Sequence, residues 1–408
     1  MPMTMQIIYI ETRHDDSTYI IILRCDPEVL MSDKIRVGLI YGGKSGEHEV
    51  SLQTALAVIK AFDLNKYEVT PFYITKTGEW RAGTQLTGPV ETVQALTFDG
   101  PSASTGAFAL QPIFGSIQQA QTRTTAATDT AGQAGKPFDV IFPLLHGTFG
   151  EDGTIQGLLE MANIAYVGTG VLASSVGMDK VMMKRVFAQE GLPQCVFRHF
   201  TKTQWEKDNA FFLMEIEVSI GYPCFVKPAN LGSSVGISKA RTREELIEAV
   251  NLAFLYDRKV IVEEFINARE VEVAVLGNDE PQASVVGEVV SSNEFYDYKA
   301  KYIDGKSSMI IPAEIPRETS DQIRELAIRA FLSVDGSGLS RVDFFLRKED
   351  GAVFINEINT MPGFTPYSMY PLLWRESGKP YGELLDDLIQ LALQRHADKQ
   401  RLQYSFDV

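Results

Sequence analysis

An apolar segment that ends in two glycines and leads into a helix constrains the fold of the first part of this chain. Residues 35–41 (Ile-Arg-Val-Gly-Leu-Ile-Tyr) are typical of a short buried strand, glycines 42–43 end it, and residues 50–62 have a helical pattern. Further strand patterns lie at 67–75 and 138–143. Strands that alternate with helices are typical of a parallel sheet with crossover helices. The sequence therefore predicts an N-terminal α/β domain.

The pattern changes after Gly177, where helices and paired strands favour two α+β domains. A helix is predicted at 178–191, before a Gly-Leu-Pro stop signal. Strands at 339–346 and 352–359 are joined by the turn 349–351, Glu-Asp-Gly, which predicts an antiparallel pair. We divide the chain into an extension, an α/β domain, a central domain and a C-terminal domain: 1–30, 31–175, 176–265 and 266–408.

Two segments stand apart from these domains. Residues 1–30 differ in sequence pattern from the rest of the chain. The segment Met31-Ser-Asp-Lys leads straight into the first strand and resembles a second possible translation start. Residues from about 82 to 136 are enriched in Ala, Thr, Gln, Gly and Ser. We expect a solvated surface insertion there, without a role in chemistry.

Composition excludes several classes of function. The 408 residues include 38 Lys and Arg against 53 Asp and Glu, a net charge of −15, which argues against a general nucleic-acid binder. Cys25, Cys195 and Cys224 form no CxxC pair, which argues against a disulfide framework or a zinc site and fits a reducing cytoplasm. No apolar run approaches the roughly 18–20 residues of a transmembrane helix. We expect a cytoplasmic protein without a membrane or nucleic-acid partner.

Two short motifs offer alternative nucleotide sites. Residues 38–45 match the GxxxxGK[ST] pattern of a phosphate-binding loop, so a kinase built on Lys44 is one alternative function. Such a loop needs its first glycine at the end of a strand, whereas 38–41 continue the apolar strand. Residues 168–173 match the GxGxxA pattern of a dinucleotide site, although a tight turn into a helix also explains these glycines. We prefer the strand-and-turn interpretation of both.

A stronger signal is distributed over several polar blocks. The block 146–157 (His-Gly-Thr-Phe-Gly-Glu-Asp-Gly-Thr-Ile-Gln-Gly) contains four glycines, a histidine and two acids directly after a strand. Residues 225–236 combine a strand, a lysine and a Gly/Ser turn whose N–H groups can bind phosphate oxygens. Because strand residues i and i+2 share a face, Asp343, Glu357 and Asn359 can converge as hard oxygen ligands for Mg²⁺.

Together these blocks resemble the ATP-grasp superfamily and, within it, the D-alanine–D-alanine ligase family. The resemblance covers roughly residues 33–395, and its most specific parts are 42–51, the 146–157 block and the block from Arg341 to Gly363. It implies an ATP-grasp fold, in which a parallel-sheet domain and two α+β domains clasp ATP. It also implies ATP-dependent joining of two D-alanines through a D-alanyl phosphate, for peptidoglycan precursors.

The resemblance assigns residues to ATP and metal. Lys180 and Lys227 match the family's two phosphate-binding lysines. Glu263 matches its adenine acceptor and Glu270 its ribose acceptor, and Lys301 matches a lysine of its closing loop. The ligands of two Mg²⁺ or Mn²⁺ ions match Asp343, Glu357 and Asn359, with Glu357 between the ions. Strand alternation allows only one of Glu263 and Glu264 to face the pocket, and we favour Glu263.

The resemblance also assigns the substrate subsites. Glu47 matches the carboxylate that receives the ammonium of the first D-alanine, with His146 close by, and Arg341 the arginine beside the transferring phosphoryl group. Ser368 matches the residue that takes the carboxylate of the second D-alanine. Ser233 and Tyr302 match residues that bond with the Glu47 region when the active-site loop, residues 295–302, closes.

The chemistry explains these residue types, and close alternatives remain. A carboxylate is an inert acyl donor, so ATP first activates it, and cations offset the charge that accumulates on the phosphoryl group. A ligase that makes D-alanyl-D-lactate or D-alanyl-D-serine would use the same chemistry, although Tyr302 favours the dipeptide enzyme. An inactive ATP-binding module is a further alternative, which the presence of Arg341 disfavours. The family pattern implies a homodimer.

Overall fold

Strand β1 (Ile35–Gly42) is the centre of a five-stranded sheet in the computed structural model of the chain, which describes residues 34–98, 138–232, 235–290 and 308–403. The other strands are β2 (Tyr67–Ile74), β3 (Trp80–Ala82), β4 (Val140–Leu144) and β5 (Ala165–Tyr166), in the order β3-β2-β1-β4-β5. Strand β1 is parallel to β2 and β4, and β4 is parallel to β5, whereas β3 is antiparallel to β2. The predicted parallel sheet is confirmed.

Two antiparallel sheets follow along the chain. The first, in the order β6-β9-β7-β8, contains β6 (Phe197–Thr201), β7 (Cys224–Pro228), β8 (Ser238–Ala240) and β9 (Lys259–Glu264). The second, in the order β12-β11-β10-β13-β14, contains β10 (Ala268–Gly277), β11 (Gln282–Val290), β12 (Ser308–Ile310), β13 (Gly338–Arg347) and β14 (Val353–Asn359). The expected combination of one α/β part with two α+β parts is confirmed, whereas the domain boundaries stay predictions.

Helices cover these sheets. They are α1 (His48–Ala61), α2 (Thr154–Met161), α3 (Val171–Met178), α4 (Lys180–Gln189), α5 (Lys202–Lys207), α6 (Asn209–Ser219), α7 (Arg243–Ala253), α8 (Arg317–Ser333), α9 (Met369–Glu376) and α10 (Tyr381–Gln400). Helix α4 begins sharply because the Asp179 carboxylate accepts from the N–H groups of Val181 and Met182, both at 3.1 Å. Within the described ranges, no helix is long and apolar enough to cross a membrane.

One continuous apolar core joins the parallel sheet to the sheet of β10–β14. It contains Leu39 of β1, Leu388 of α10 and Leu339 of β13, all at most 1% exposed. Tyr370 of α9 is buried in the same core and donates a hydrogen bond to the Val275 carbonyl of β10 at 3.0 Å. Because the two sheets share this core, the ends of β1 and β4 are held beside β13 and β14.

The composition-biased segment that begins near residue 82 is only partly as expected. Leu96, which lies in a short 3-10 turn (Val93–Leu96), is 1% exposed, and its carbonyl accepts a hydrogen bond from the Tyr41 hydroxyl at 3.0 Å. Leu86 and Phe98 also contact the core. The expectation of a purely solvated insertion is therefore wrong for 82–98, because its few apolar side chains pack into or against the hydrophobic core. Residues 99–136 and the extension 1–30 lie outside the described residues.

The phosphate-binding-loop alternative is contradicted by the position of Gly38. This residue lies inside β1, paired with Thr70 on one side and Ile141 on the other. A Cβ atom at Gly38 would come within 2.5 Å of Ile141 Cδ1, so the backbone is enclosed by neighbours and has no space for phosphates. The GxGxxA segment leads through α3 directly into α4 and not into a further strand of the same sheet, which also disagrees with a dinucleotide unit.

Candidate functional site

A cleft of about 460 Å³ lies where the three sheets meet, and it gathers half of the fourteen site residues predicted from the sequence. Seven of the predicted site residues line it: Glu47, His146, Lys180, Arg341, Glu357, Asn359 and Ser368. Large concave sites with converging polar groups are the usual location of ligand binding. This cleft is therefore the candidate active site.

The parallel sheet supplies the loops after β1 and β4. Glu47 is the N-cap residue of α1, and His146 follows β4 by two residues, so both stand at the carboxyl edge of the sheet, where α/β folds bind ligands. The two loops are tied together because the Ser45 hydroxyl donates to the His146 carbonyl at 2.6 Å. Gly147 has φ +72°, and a Cβ there would lie 2.6 Å from Glu47 Oε2, so glycine lets the carboxylate approach the backbone.

His146 is almost fully buried, 4% exposed, and its ring is held on both sides. Nδ1 lies 3.2 Å from the Met361 carbonyl and 3.5 Å from Glu151 Oε1, and Nε2 lies 3.2 Å from the Thr54 hydroxyl. Burial lowers the pKa of His146, but the charge and hydrogen bond of Glu151 outweigh it and raise that pKa above its usual value. Burial also raises the pKa of Glu151, which feels the nearby charge of Glu47.

A row of charged side chains crosses three strands of the second antiparallel sheet. Asp343 of β13 lies opposite Glu272 of β10 on one side and Glu357 of β14 on the other. The Arg341 guanidinium donates to both Asp343 oxygens at 2.7 Å, and its Nε lies 2.8 Å from Glu272 Oε2. Burial lowers the pKa of Arg341, but the charges of these carboxylates raise it well above its usual value. A permanently charged arginine therefore stands in the floor of the cleft.

The amide of Asn359 completes this row. Its Nδ2 donates to Asp343 Oδ2 at 3.0 Å, and Asn359 lies opposite Arg341 in the strand register. Across the described stretches of the chain, no three His, Cys, Asp or Glu side chains are grouped as a metal ion requires. The donor set itself, two carboxylates and an amide on adjacent strands, still fits a hard divalent cation, because such ions take carboxylate and amide oxygens. Asp343 would exchange its contacts with Arg341 and Asn359 to take this role.

Lys180 connects the two antiparallel sheets at the cleft. Its backbone N–H donates to the Ala229 carbonyl at 3.0 Å, and its Nζ donates to the Leu231 carbonyl at 2.8 Å. The same ammonium lies 3.7 Å from Glu357 Oε2. The ammonium of Lys180, the first residue of α4, thus contacts both the turn after β7 and the end of β14.

Two further predicted residues form a buried ion pair in the first antiparallel sheet. Lys227 Nζ lies 2.6 Å from Glu263 Oε2, with the lysine 8% and the glutamate 2% exposed. Lys184 adds a second ammonium, 3.2 Å from Glu263 Oε1. Burial raises the pKa of Glu263, but the charges of the two lysines lower it to about 2. Glu264 is half-buried and accepts instead from the Val196 N–H at 2.8 Å, so the strand turns Glu263 inward.

The remaining predicted residues are less informative. Glu270 is half-buried on β10, two residues before Glu272 and on the same face of the strand. The Ser368 hydroxyl accepts from the Thr365 N–H at 3.0 Å and contacts the Thr365 hydroxyl at 2.7 Å. The predicted residues outside the described ranges are Ser233, Lys301 and Tyr302, together with their loop 295–302.

Three charged residues of this region had no role in the sequence analysis: Glu151, Glu272 and Lys184. Each had a signal in the sequence. Glu151 belongs to the glycine-rich block, Glu272 follows Glu270 at the spacing that keeps a strand face, and Lys184 follows Lys180 at the spacing that keeps a helix face. Their contact partners lie in other parts of the chain, so local sequence patterns could not predict these contacts.

Comparison with known proteins assigns the chain to a family. The family model described as D-ala D-ala ligase N-terminus matches residues 36–169, and the one described as D-ala D-ala ligase C-terminus matches residues 186–390. The D-alanine–D-alanine ligase of Bacillus cytotoxicus is 56% identical over 372 residues, 91% of this chain and 99% of that protein. The ligase of the same name from Geobacillus kaustophilus is 57% identical over 373 residues, 91% of this chain and 98% of that protein.

Solved structures give the same result. The D-alanine–D-alanine ligase of Coxiella burnetii aligns with a TM-score of 0.71 at 33% identity, over 91% of this chain and 97% of that one. The VanG D-Ala:D-Ser ligase of Enterococcus faecalis aligns with a TM-score of 0.70 at 34% identity, over 88% of this chain and 99% of that one. The resemblance carried by the sequence motifs is confirmed, and the chain belongs to the D-alanine–D-alanine ligase family of the ATP-grasp superfamily.

Proposed function

We propose that this protein joins two D-alanines to D-alanyl-D-alanine for peptidoglycan precursors, with conversion of ATP to ADP and phosphate. The observation that carries the proposal is the meeting of Glu47, Lys180 and Arg341 in one cleft, each from a different part of the fold. A carboxylate that binds an ammonium therefore lies near cations that bind phosphoryl oxygens. Relatives named D-alanine–D-alanine ligase that match nearly end to end support the same reaction.

Arg341 and the lysines account for the first half of the reaction. Phosphoryl transfer to the D-alanine carboxylate places negative charge on the transferring group, and catalysis consists mainly of positioning and charge stabilisation. Arg341 supplies a planar, permanently charged donor in the cleft, and Lys180 supplies a second cation close to Glu357. We assign Arg341 to the transferring phosphoryl group, and Lys180, Lys227 and Lys301 to the ATP phosphates.

Three residues on β13 and β14 form the proposed metal site. Asp343, Glu357 and Asn359 would hold two Mg²⁺ or Mn²⁺ ions, and such ions neutralise phosphate charge and polarise phosphoryl oxygens. Glu263 and Glu270 are the proposed acceptors for adenine and ribose.

The N-terminal loops and the β14–α9 connection form the proposed D-alanine subsites. Glu47 would receive the ammonium of the first D-alanine, with His146 beside it, and Ser368 would donate to the carboxylate of the second. Ser233 and Tyr302 are assigned to the closing of the site, which must exclude water because an acyl phosphate hydrolyses. We propose further that the enzyme is a cytoplasmic homodimer.

Phosphate release from ATP tests the proposal directly. D-alanine, L-alanine, D-lactate and D-serine are offered to the purified chain with Mg²⁺, first singly and then each together with D-alanine, and products are identified by mass spectrometry. Release that requires D-alanine, with D-alanyl-D-alanine as the main product, is the expected result. Release without any D-alanine would refute the proposal. A mixed product dominated by D-alanyl-D-serine would instead make this chain functionally similar to the VanG enzyme.

A further inference from the structure

A completely buried lysine, Lys184, contacts the proposed adenine acceptor Glu263 and has no assigned role in the proposed reaction. It is 0% exposed and lies one helical turn after Lys180 on α4. Its Nζ is 3.2 Å from Glu263 Oε1 and 3.5 Å from the sulfur of Cys195. An ammonium group is costly to bury unless it is paired, so this lysine depends on Glu263.

The charges around Glu263 do not balance. Its carboxylate contacts two ammonium groups, Lys184 on Oε1 and Lys227 on Oε2. Cys195 contributes no charge, because burial raises the pKa of its thiol to about 11. The group formed by Lys184, Lys227 and Glu263 therefore carries one excess positive charge, which suits an anionic ligand such as a nucleotide.

The two lysines on Glu263 differ in what they can reach. Lys227 lies on β7, whose following turn lines the cleft with Leu231 and Gly232, and its side chain is 10% exposed, whereas that of Lys184 is 1% exposed. Lys184 is enclosed by Glu263, Cys195 and the ring of Phe197, whose centroid is 5.8 Å away. When Lys227 turns to phosphate oxygens, Glu263 Oε2 loses a partner, while Lys184 still holds Oε1.

We propose that Lys184 is a positioning residue for the nucleotide: it keeps Glu263 ionised and oriented, with Oε2 directed at the amino group of adenine. The inference rests on the proposed ATP-binding role of Glu263. A fixed carboxylate accepts a hydrogen bond from the 6-amino group of adenine. It repels the 6-oxo group of guanine, because the carboxylate and the oxo group are both hydrogen-bond acceptors. Lys184 thereby contributes to the preference for ATP over GTP although it does not touch the nucleotide.

The test compares Lys184→Met, which keeps chain length and removes the charge, with the exposed control Lys207→Met. ADP affinity is measured by calorimetry, KM for ATP, GTP and D-alanine by phosphate release, and folding by melting temperature. For Lys184→Met we expect the ADP Kd and the KM for ATP to rise by about ten-fold or more, with a comparable loss of ATP over GTP preference. The KM for D-alanine should stay within about two-fold, and Lys207→Met should match wild type.

A double variant shows whether Lys184 acts through Glu263. If it does, Glu263→Gln and Glu263→Gln/Lys184→Met share the same ADP Kd and the same ATP over GTP ratio. This comparison remains available if Lys184→Met alone does not fold, because the double variant leaves one buried ammonium in place of two. A further loss of ADP affinity in the double variant would overturn the proposal.

The other outcomes are also decisive. A lower melting temperature of Lys184→Met with unchanged ADP affinity and unchanged nucleotide preference would show a purely structural role and overturn the proposal. In both cases wild type still releases phosphate in a D-alanine-dependent reaction, so the proposed function stands. If wild type itself binds no ADP or needs no D-alanine, the proposed function is the part that fails.

Discussion

The guanidinium of Arg341 makes two parallel hydrogen bonds, each 2.7 Å long, to the carboxylate of Asp343, two residues later on the same strand. Bidentate pairs of this kind are among the stronger polar contacts in proteins. In the proposed reaction both partners acquire new neighbours, Asp343 a metal ion and Arg341 a phosphoryl oxygen. We therefore propose that the pair keeps both groups in place until the substrates arrive.

Replacing Arg341 by lysine should separate charge from geometry. Arg341→Lys keeps one positive charge but loses the planar donor pair, so we expect turnover to fall by about 10²–10³. The protein should still fold, with a lower melting temperature because the bidentate contact to Asp343 is lost. Phosphate release at saturating D-alanine and ATP measures the effect. Arg317→Lys, at a side chain that is 94% exposed, is the matched control and should behave as wild type. Wild-type turnover in Arg341→Lys would remove this residue from the chemistry.

The proposed metal ligands Asp343 and Glu357 should be needed for turnover and not for folding. Glu357→Ala and Asp343→Ala are each expected to lower turnover by orders of magnitude, because these carboxylates are assigned to divalent ions. Thermal unfolding checks that the fold is retained, and a Mg²⁺ titration of turnover checks the assignment. Exposed Glu349→Ala in the β13–β14 turn serves as control. A variant that unfolds more easily yet keeps its specific activity would identify the row as a structural ion-pair ladder.

Glu263 predicts a pH dependence of stability. Its pKa is lowered from 4.5 to about 2 in the folded chain, so the folded state binds this proton less tightly than the unfolded state. The contribution, on the order of 3 kcal/mol, is present above about pH 4.5 and is lost as the pH falls toward about 2. The difference in free energy of unfolding between wild type and Glu263→Gln should therefore shrink between about pH 6 and pH 3.5. Urea unfolding at several pH values measures it, and a constant difference would contradict the pairing.

Lys44 and Lys180 distinguish the ligase from a P-loop kinase. Lys44 is exposed and is not among the residues that line the cleft, and its side chain lies against Gly78, where a Cβ would come within 2.6 Å of Lys44 Cδ. We expect Lys44→Ala to keep phosphate release within about three-fold of wild type, since surface changes have small effects. Lys180→Ala should raise the KM for ATP strongly. Loss of activity in Lys44→Ala with normal activity in Lys180→Ala would reverse the assignment.

Leu96 should stabilise the N-terminal sheet without affecting catalysis. Leu96→Ala removes a side chain that is 1% exposed and is expected to cost about 2–5 kcal/mol of unfolding free energy. Denaturant unfolding measures the loss, and Gln94→Ala, at an exposed position in the same turn, is the matched control. The KM values for ATP and D-alanine of the folded Leu96→Ala protein should match wild type. A loss below about 1 kcal/mol would mean that 82–98 is as solvated as its composition suggests.

Local patterns were sufficient to predict most of the scaffold. The apolar run 35–41 and its glycines gave β1, which extends by one residue to Gly42, and the turn 349–351 gave the β13–β14 hairpin. Apolar periodicity and turn residues carry this information because both are local in the chain. The register beyond the turn is different, because an irregularity between Asp343 and Phe344 shifts the pairing by one residue. Regular pairing from the turn would place Arg341 opposite Ile358, whereas the structure places it opposite Asn359.

Long-range pairing limited what could be predicted of the site. Glu272 meets Arg341 only because β10 pairs with β13 in one register, and nothing near Glu272 in the sequence indicates that partner. His146 likewise contacts Met361, far away along the chain. The roles of Ser233, Lys301 and Tyr302 stay predictions from the family pattern.

The cleft takes its residues from three sheets, two of which share a core while the third has its own around Phe200 and Val262. The geometry of the proposed site therefore depends on the mutual placement of separately packed layers as well as on the groups that line the cleft. We expect a substitution in the core around Phe200 to shift Lys227 and Glu263 together and to lower activity without altering any site residue. The packing of that core thereby sets the position of charged groups as well as the stability of the fold.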